Sequence, residues 1–292
     1  MAFANVLFAA IFSAAVLFLV TAGLQLVFGV QRIVNLTAGS VYALGAYFGA
    51  SAFDWVVVRG GSPLLLLPVL AIAGLLAGQI GFVIERVLRL VYERDEAFQL
   101  LMTFAFVLML QDFLRAIWGA QPRIMGDLPD VYGALGIGEF RFPVYNAVVI
   151  LCSLSIGLLL WWFVEGTRLG HIVRATAENK AMSEAMGVDT KKVTTLIFVL
   201  GSVLGTVGGA LVIPTTAASL EMPSALIVEA FAVVVIGGLG SMRGALFGAV
   251  IVGGMRAIAL SYFPEMEIMA IYLVVVAVLF ARPYGLFGKA VS

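Results

Sequence analysis

The sequence has one cysteine, Cys152, and one histidine, His171, in 292 residues. A lone cysteine excludes an intramolecular disulfide, and with one histidine it leaves no Cys/His set for a metal; no metal site is expected. Charge is scarce too: Asp, Glu, Lys and Arg make up 12% of the chain and cancel to a formal net charge of zero. That balance gives no reason to expect nucleic acid as a partner. The opening stretch MAFANVLFAAIFSAAVLFLV lacks the basic n-region of a cleaved signal peptide and reads as a first membrane helix. No GxxxxGK[ST] phosphate loop, HExxH motif, nucleophile elbow or cluster of carboxylates occurs. Hydrolysis of a nucleotide by the common route is thereby excluded, and a non-catalytic chain that binds no cofactor of its own is expected.

What the chain has in abundance is apolar surface. With 62% hydrophobic residues and a mean hydropathy of +1.10, it is expected to be a single all-α polytopic transmembrane bundle over residues 1–292, because about 20 apolar residues are needed to cross ~30 Å of hydrocarbon. Candidate spans lie at 6–30, 35–58, 63–84, 98–118, 143–164, 193–213, 226–240, 244–262 and 266–281. The segment 226–240 is short and interrupted by Gly237, Gly238 and Gly240, which predicts a re-entrant or broken helix and a count of eight or nine. Nine crossings would put the N-terminus outside. Basic residues in 85–97 (Arg86, Arg89, Arg94), in 165–192 and in the tail (Arg282, Lys289) place those segments in the cytoplasm. The connection 119–142, with Asp127, Asp130 and Glu139, then faces the other side.

Small residues recur at helical spacing: Gly201, Gly205 and Gly209; Gly240, Gly244 and Gly248; Gly45 with Gly49; Gly74 with Gly78. In lipid, such residues let helices approach closely, and ordinary helix packing is the plain reading. A sharper one makes Gly237 to Gly244 a kinked stretch lining a pathway. FGVQRIVNLTAGSVYALGAYFG and IGGLGSMRGALFGAVIVGG also echo one another, each setting a polar, Arg-containing break between apolar segments, as transporter repeats do. The ionisable residues Asp54, Arg59 and Arg256 fall towards span ends, where snorkelling to the interface explains them. The chain carries no row of buried carboxylates that would suit a proton-coupled carrier.

One segment departs from this composition. RATAENKAMSEAMGVDTKK, residues 174–192, is the most charged part of the connection 165–192. Thr176 can cap a helix, Ala177, Ala181, Met182, Ala185 and Met186 form an apolar stripe, and Gly187 offers a left-handed stop. A helix lying on lipid would favour larger apolar residues, whereas Ala and Met suit a groove in another protein.

ATAENKAMSEAMGVDTKKV followed by FVLGSVLGTVGGAL resembles the cytoplasmic coupling loop and next helix of permeases of branched-chain amino-acid ABC importers, the LivH type. IVNLTAGSVYALGAY (33–47), EAFAVVVIGGLGSMRGALFGAVIVG (229–253) and RPYGLFG (282–288) match further family segments in order. The resemblance implies a type II ABC importer permease of the bacterial cytoplasmic (inner) membrane that carries small polar solutes, by default branched-chain amino acids. Its implied partners are a second, homologous permease, two ABC ATPase subunits that hold ATP and magnesium, and a periplasmic or extracellular binding protein, with membrane lipid around it. Glu178, Met182, Ala185, Met186 and Gly187 fall in the ATPase-docking loop. Where many members carry a His before the Gly of the early segment and an acid after it, this chain has Ala38 and Ser40 around Gly39. Asn35, Thr37, Ser40 and Tyr42, with Gly237, Gly238 and Gly240, are the candidates for lining the path; bonding between helices is the plain alternative for the polar four. A secondary carrier or channel for small amides, urea or related organic solutes is the alternative function.

Overall fold

The computed structural model describes residues 2–33, 35–92, 94–125, 132–137 and 140–288. Asp127, Asp130, Glu139 and Lys289 lie outside the described residues. The helices are α1 (Ala2–Gln31), α2 (Thr37–Val58), α3 (Leu66–Ala77), α4 (Ile80–Leu88), α5 (Glu96–Trp118), α6 (Val144–Gly166), α7 (Arg168–Glu178), α8 (Lys180–Ala185), α9 (Thr190–Val212), α10 (Met222–Gly237), α11 (Met242–Tyr262) and α12 (Glu267–Ala281). A short antiparallel hairpin, β1 (Ala134–Ile137) with β2 (Phe140–Pro143), joins α5 to α6, a small departure from an all-α expectation.

Among the described residues, eight helical segments are long and apolar enough to cross a membrane, α3 and α4 acting as one. The ninth, α10, has 16 residues, about 24 Å at 1.5 Å per residue. Its two ends meet different parts of the bundle. Its start follows Ala218, which pairs with Arg123 just beyond the outer end of α5. Its other end leads into Gly240, packed on Gly29 near the end of α1. Because α1 runs antiparallel to α9, with Gly23 on Gly201 and Val20 on Gly208, Gly29 sits at the face where α9 begins. With Pro223 in its first turn packed on Gly39, near the middle of α9, α10 keeps the character of the short segment expected, its three glycines falling at its end and just beyond, and the start of α1 lies on the side opposite the 167–189 connection.

α1, α2 and α9 form the core, and their closeness follows from glycine. A Cβ on Gly45 would stand 2.0 Å from the Thr206 carbonyl oxygen, and one on Gly209 1.9 Å from that of Tyr42. Where tails of lipid and leucine are equally apolar, such backbone contact supplies the packing energy. Thr206 lies at this crossing and its hydroxyl donates to the Gly74 carbonyl at 2.7 Å, tying α3 to the same core.

Candidate functional site

The connection from α6 to α9 is built of short, individually capped helices. The Thr167 hydroxyl accepts the Gly170 N–H at 3.0 Å to start α7, Asn179 Oδ1 accepts that of Met182 at 2.9 Å to start α8, and Asp189 Oδ1 accepts that of Lys192 at 3.2 Å to start α9. Each cap satisfies an N–H that a helix start leaves unpaired. The expected cap Thr176 is instead inside α7, donating to the Ile172 carbonyl, and Asn179 breaks what the sequence suggested as one helix. Lys192, hydrogen-bonded through its ammonium and its backbone N–H, holds the Asp189 carboxyl below the usual carboxylate range.

Gly187 has φ 84°, the left-handed stop expected for it, and its N–H bonds to the Glu184 carbonyl. Thr190 closes the turn by donating to Glu184 Oε1 at 2.6 Å. The connection thus has two sides. Val173, Thr176 and Ser183 are buried, with Ala177 packed on the core, whereas Glu178, Ala185 and Gly187 are exposed together with Met182 at 62% and Met186 at 79%. The apolar stripe expected from spacing divides accordingly: Ala177 turns inward, and Ala181 and the four remaining stripe and stop residues face solution.

The path candidates fall into two groups. Asn35 and Thr37 sit at the break between α1 and α2, where Arg32 takes φ 55°. α2 begins level with the middle of α9, since Ala38 and Val41 lie against Gly205, so this break is inside the membrane. Irregular backbone at that depth needs partners. Asn35 Oδ1 supplies one, accepting the Thr37 N–H at 3.0 Å and its hydroxyl at 2.5 Å. Both residues line a cleft with Ser202 and Gly205 whose volume is only 10 Å³, about the space of one water. Ser40 and Tyr42, further along α2, are buried as well, and Ser40 Oγ has no hydrogen-bond partner among the described residues. Ala38 packs on Leu24, Ala230 and Val234, and Gly39 meets the Pro223 carbonyl, so the glycine position admits no side chain.

Gly237, Gly238 and Gly240 form the second group, at the opposite end of α10. Gly237 abuts Gly244, and the carbonyls of Ile236 and Gly237 accept the N–H groups of Leu286 and Phe287 from the RPYGLFG tail at 2.8 and 3.1 Å. Gly240 against Gly29 brings the two echoing breaks of the sequence side by side.

Two ionic clusters were not legible beforehand. Arg256 does not snorkel: it donates to Glu229 of α10 at 3.0 Å and to Glu267 of α12 at 2.7 Å, joining three helices. Glu229 was missed altogether, although a single carboxylate eight residues into a membrane segment is itself a signal. At the α9 end of the bundle, fully buried Glu85 pairs with Arg89 at 2.8 Å, and both bond to Thr195 of α9.

A bundle with apolar crossings, irregular backbone enclosed at membrane depth and a capped helical connection standing proud of one face defines a polytopic membrane permease. The chain belongs to the family described as branched-chain amino acid transport system / permease component, which it matches over residues 6–280. It is 26% identical over 285 residues to the high-affinity branched-chain amino acid transport system permease protein LivH of Salmonella typhimurium, covering 93% of this chain and 91% of that one. It is 28% identical over 295 residues to the probable branched-chain amino acid transport permease protein LivH of Methanocaldococcus jannaschii, covering 93% and 88%. Among solved structures, PsaBC from Streptococcus pneumoniae in complex with Fab has a TM-score of 0.52 at 12% identity over 97% of this chain and 94% of that one, a likeness of fold alone. The chain is thus the permease of an ABC importer, a multi-pass protein of the cytoplasmic membrane that works with ATPase and binding-protein partners. Membership does not favour the secondary-carrier alternative.

Proposed function

We propose that this permease carries branched-chain amino acids or closely similar small polar solutes, and that α8 is where ATP-driven work enters it. The carrying observation is the Met182–Met186 pair. Two large apolar side chains stand exposed on a helix whose cap and stop both hold it in place. A soft, adaptable surface of this kind fits a groove in a protein partner. Glu178, Ala185 and Gly187 border it on the exposed side. In this reading two ATPase subunits dock at α8 and its counterpart on a second permease, identical or homologous, and hold the ATP and magnesium; this chain hydrolyses nothing and binds no cofactor. A binding protein delivers solute on the opposite face. Nucleotide-bound and nucleotide-free ATPases favour different forms of the permease, and that difference in affinity shifts the membrane helices between outward and inward access. The solute class is supported by the names of the relatives. The break at Asn35 and Thr37, enclosed at membrane depth, is the part of the path where Ser40 and Tyr42 also lie.

The test is to change Met182 and Met186 to glutamate in the complex reconstituted with its ATPase and binding protein. Stimulated ATP hydrolysis should fall about tenfold or more, the scale of a typical coupling free energy, while the melting temperature of the permease alone stays unchanged. Undiminished stimulation sinks the docking assignment. Separately, uptake of leucine, isoleucine or valine by the intact complex tests the solute, and failure with all three alongside transport of another solute overturns that class.

A further inference from the structure

Gln25 stands in the last third of α1 in the run TAGLQLVFG, an amide among apolar residues, and is 1% exposed. Neither of its polar atoms turns to its own helix. Its Nε2 donates to the Gly238 carbonyl at 3.0 Å, and its Oε1 accepts the Gly240 N–H at 2.5 Å. The side-chain amide therefore pairs with the turn between α10 and α11 as a strand partner would, binding one donor and one acceptor two residues apart. Both of those glycines have positive φ, 92° and 78°, so the turn holds a shape that few other residues could adopt. A polar group buried at this depth needs its partners.

The same stretch of α1 meets the coupling connection. Leu26, Gly29 and Val30 share with Val173 and Ala177 of α7 a cavity of about 260 Å³, whose far wall is the Gly240–Ser241 turn. Arg174 and Glu165 pair across this region at 2.5 Å. The volume is a cleft open to the outside beside Trp161 and Glu165, and it leaves α7 room to move. We propose that Gln25 is the positioning residue that carries displacement of the coupling connection to the α10–α11 turn, with α1 as the rod between them. A push on α7 shifts α1, and the two hydrogen bonds oblige the turn to follow. α10, which carries Glu229 and packs on α2 through Ala38 and Gly39, moves with it.

This inference rests on the reading that α8 docks an ATPase, and the two fail differently. In the reconstituted complex, Gln25→Leu removes both bonds at similar volume; Gln25→Glu keeps the acceptor for Gly240 and loses the donor to Gly238. Three quantities are read for each: ATPase retained on the permease, stimulated ATP hydrolysis, and solute moved per ATP. Expected for Gln25→Leu is full retention of the ATPase with solute per ATP down about tenfold, and for Gln25→Glu an intermediate loss. Loss of ATPase retention would instead be the mark of the Met182 and Met186 glutamate variants. Wild-type solute per ATP in either Gln25 variant overturns the proposal, as does a loss of ATPase retention that accounts for the whole defect. Should Gln25→Leu fail to fold, Gln25→Glu decides on the same readouts, since it retains the Gly240 bond.

Discussion

The connection from Thr167 to Asp189 and the seam between α2 and α9 use their small and polar residues in opposite ways. In the seam they vanish into contact: Gly45 and Gly209 lie so close to facing backbone that a single methyl would collide, and Thr206 spends its hydroxyl on carbonyls of Gly74, Ser202 and Val203. In the connection the polar residues fix helix starts, and the side chains on its outer side, Met182 and Met186 among them, are left exposed. A region closed by backbone contact defends the fold; one with capped helices and bare methionines presents a surface. The difference marks where change should cost stability and where it should cost only coupling.

The seam can be broken outright. Gly209→Leu forces a side chain into the Tyr42 carbonyl and should cost about 3 kcal/mol or more, read as lost monodisperse protein and a lowered melting temperature in detergent. Survival of the fold with only a small shift would show that α2 and α9 can part. The second test separates packing from charge. Arg256→Met leaves Glu229 buried without its partner and should destabilise by about 3–5 kcal/mol, whereas adding Glu229→Leu should recover most of that loss. Equal damage from single and double variants would mean that the pair contributes through shape alone. The smallest effect belongs to the connection and depends on pH. Because the Asp189 carboxyl is held below its ordinary 3.8, its contribution is present above about pH 4 and is lost as pH falls through the lowered value. Hydrogen-exchange protection of the first turn of α9 should decline over that range, and Asp189→Asn should remove the dependence.

Most of the crossings were readable because hydropathy acts locally: a run such as AVVILCSLSIGLLLWWFV has no other stable place. The connection from Thr167 to Asp189 was readable for the converse reason, a polar helix pattern where the rest is apolar. Gly187 could be assigned since a left-handed stop is a property of one residue and its neighbours. What sequence could not show is what arrives from far along the chain. Arg256 looked like a terminal snorkelling residue because Glu229 and Glu267 approach only when α10, α11 and α12 pack. α10 looked interrupted because the caps for its last carbonyls come from Leu286 and Phe287, some fifty residues later. Thr176 was taken for a cap since Asn179, three residues on, offers the same chemistry, and only the observed backbone decides between them. Gln25 carried a signal, an amide inside the apolar run TAGLQLVFG, but its partners lie more than two hundred positions away.

The tie between the RPYGLFG segment and the end of α10 makes the last described residues a strap across an interior turn. Leu286 and Phe287 supply the N–H groups that the Ile236 and Gly237 carbonyls accept, so cutting the chain before residue 286 would leave two carbonyls of buried residues without those donors on a helix some fifty residues away.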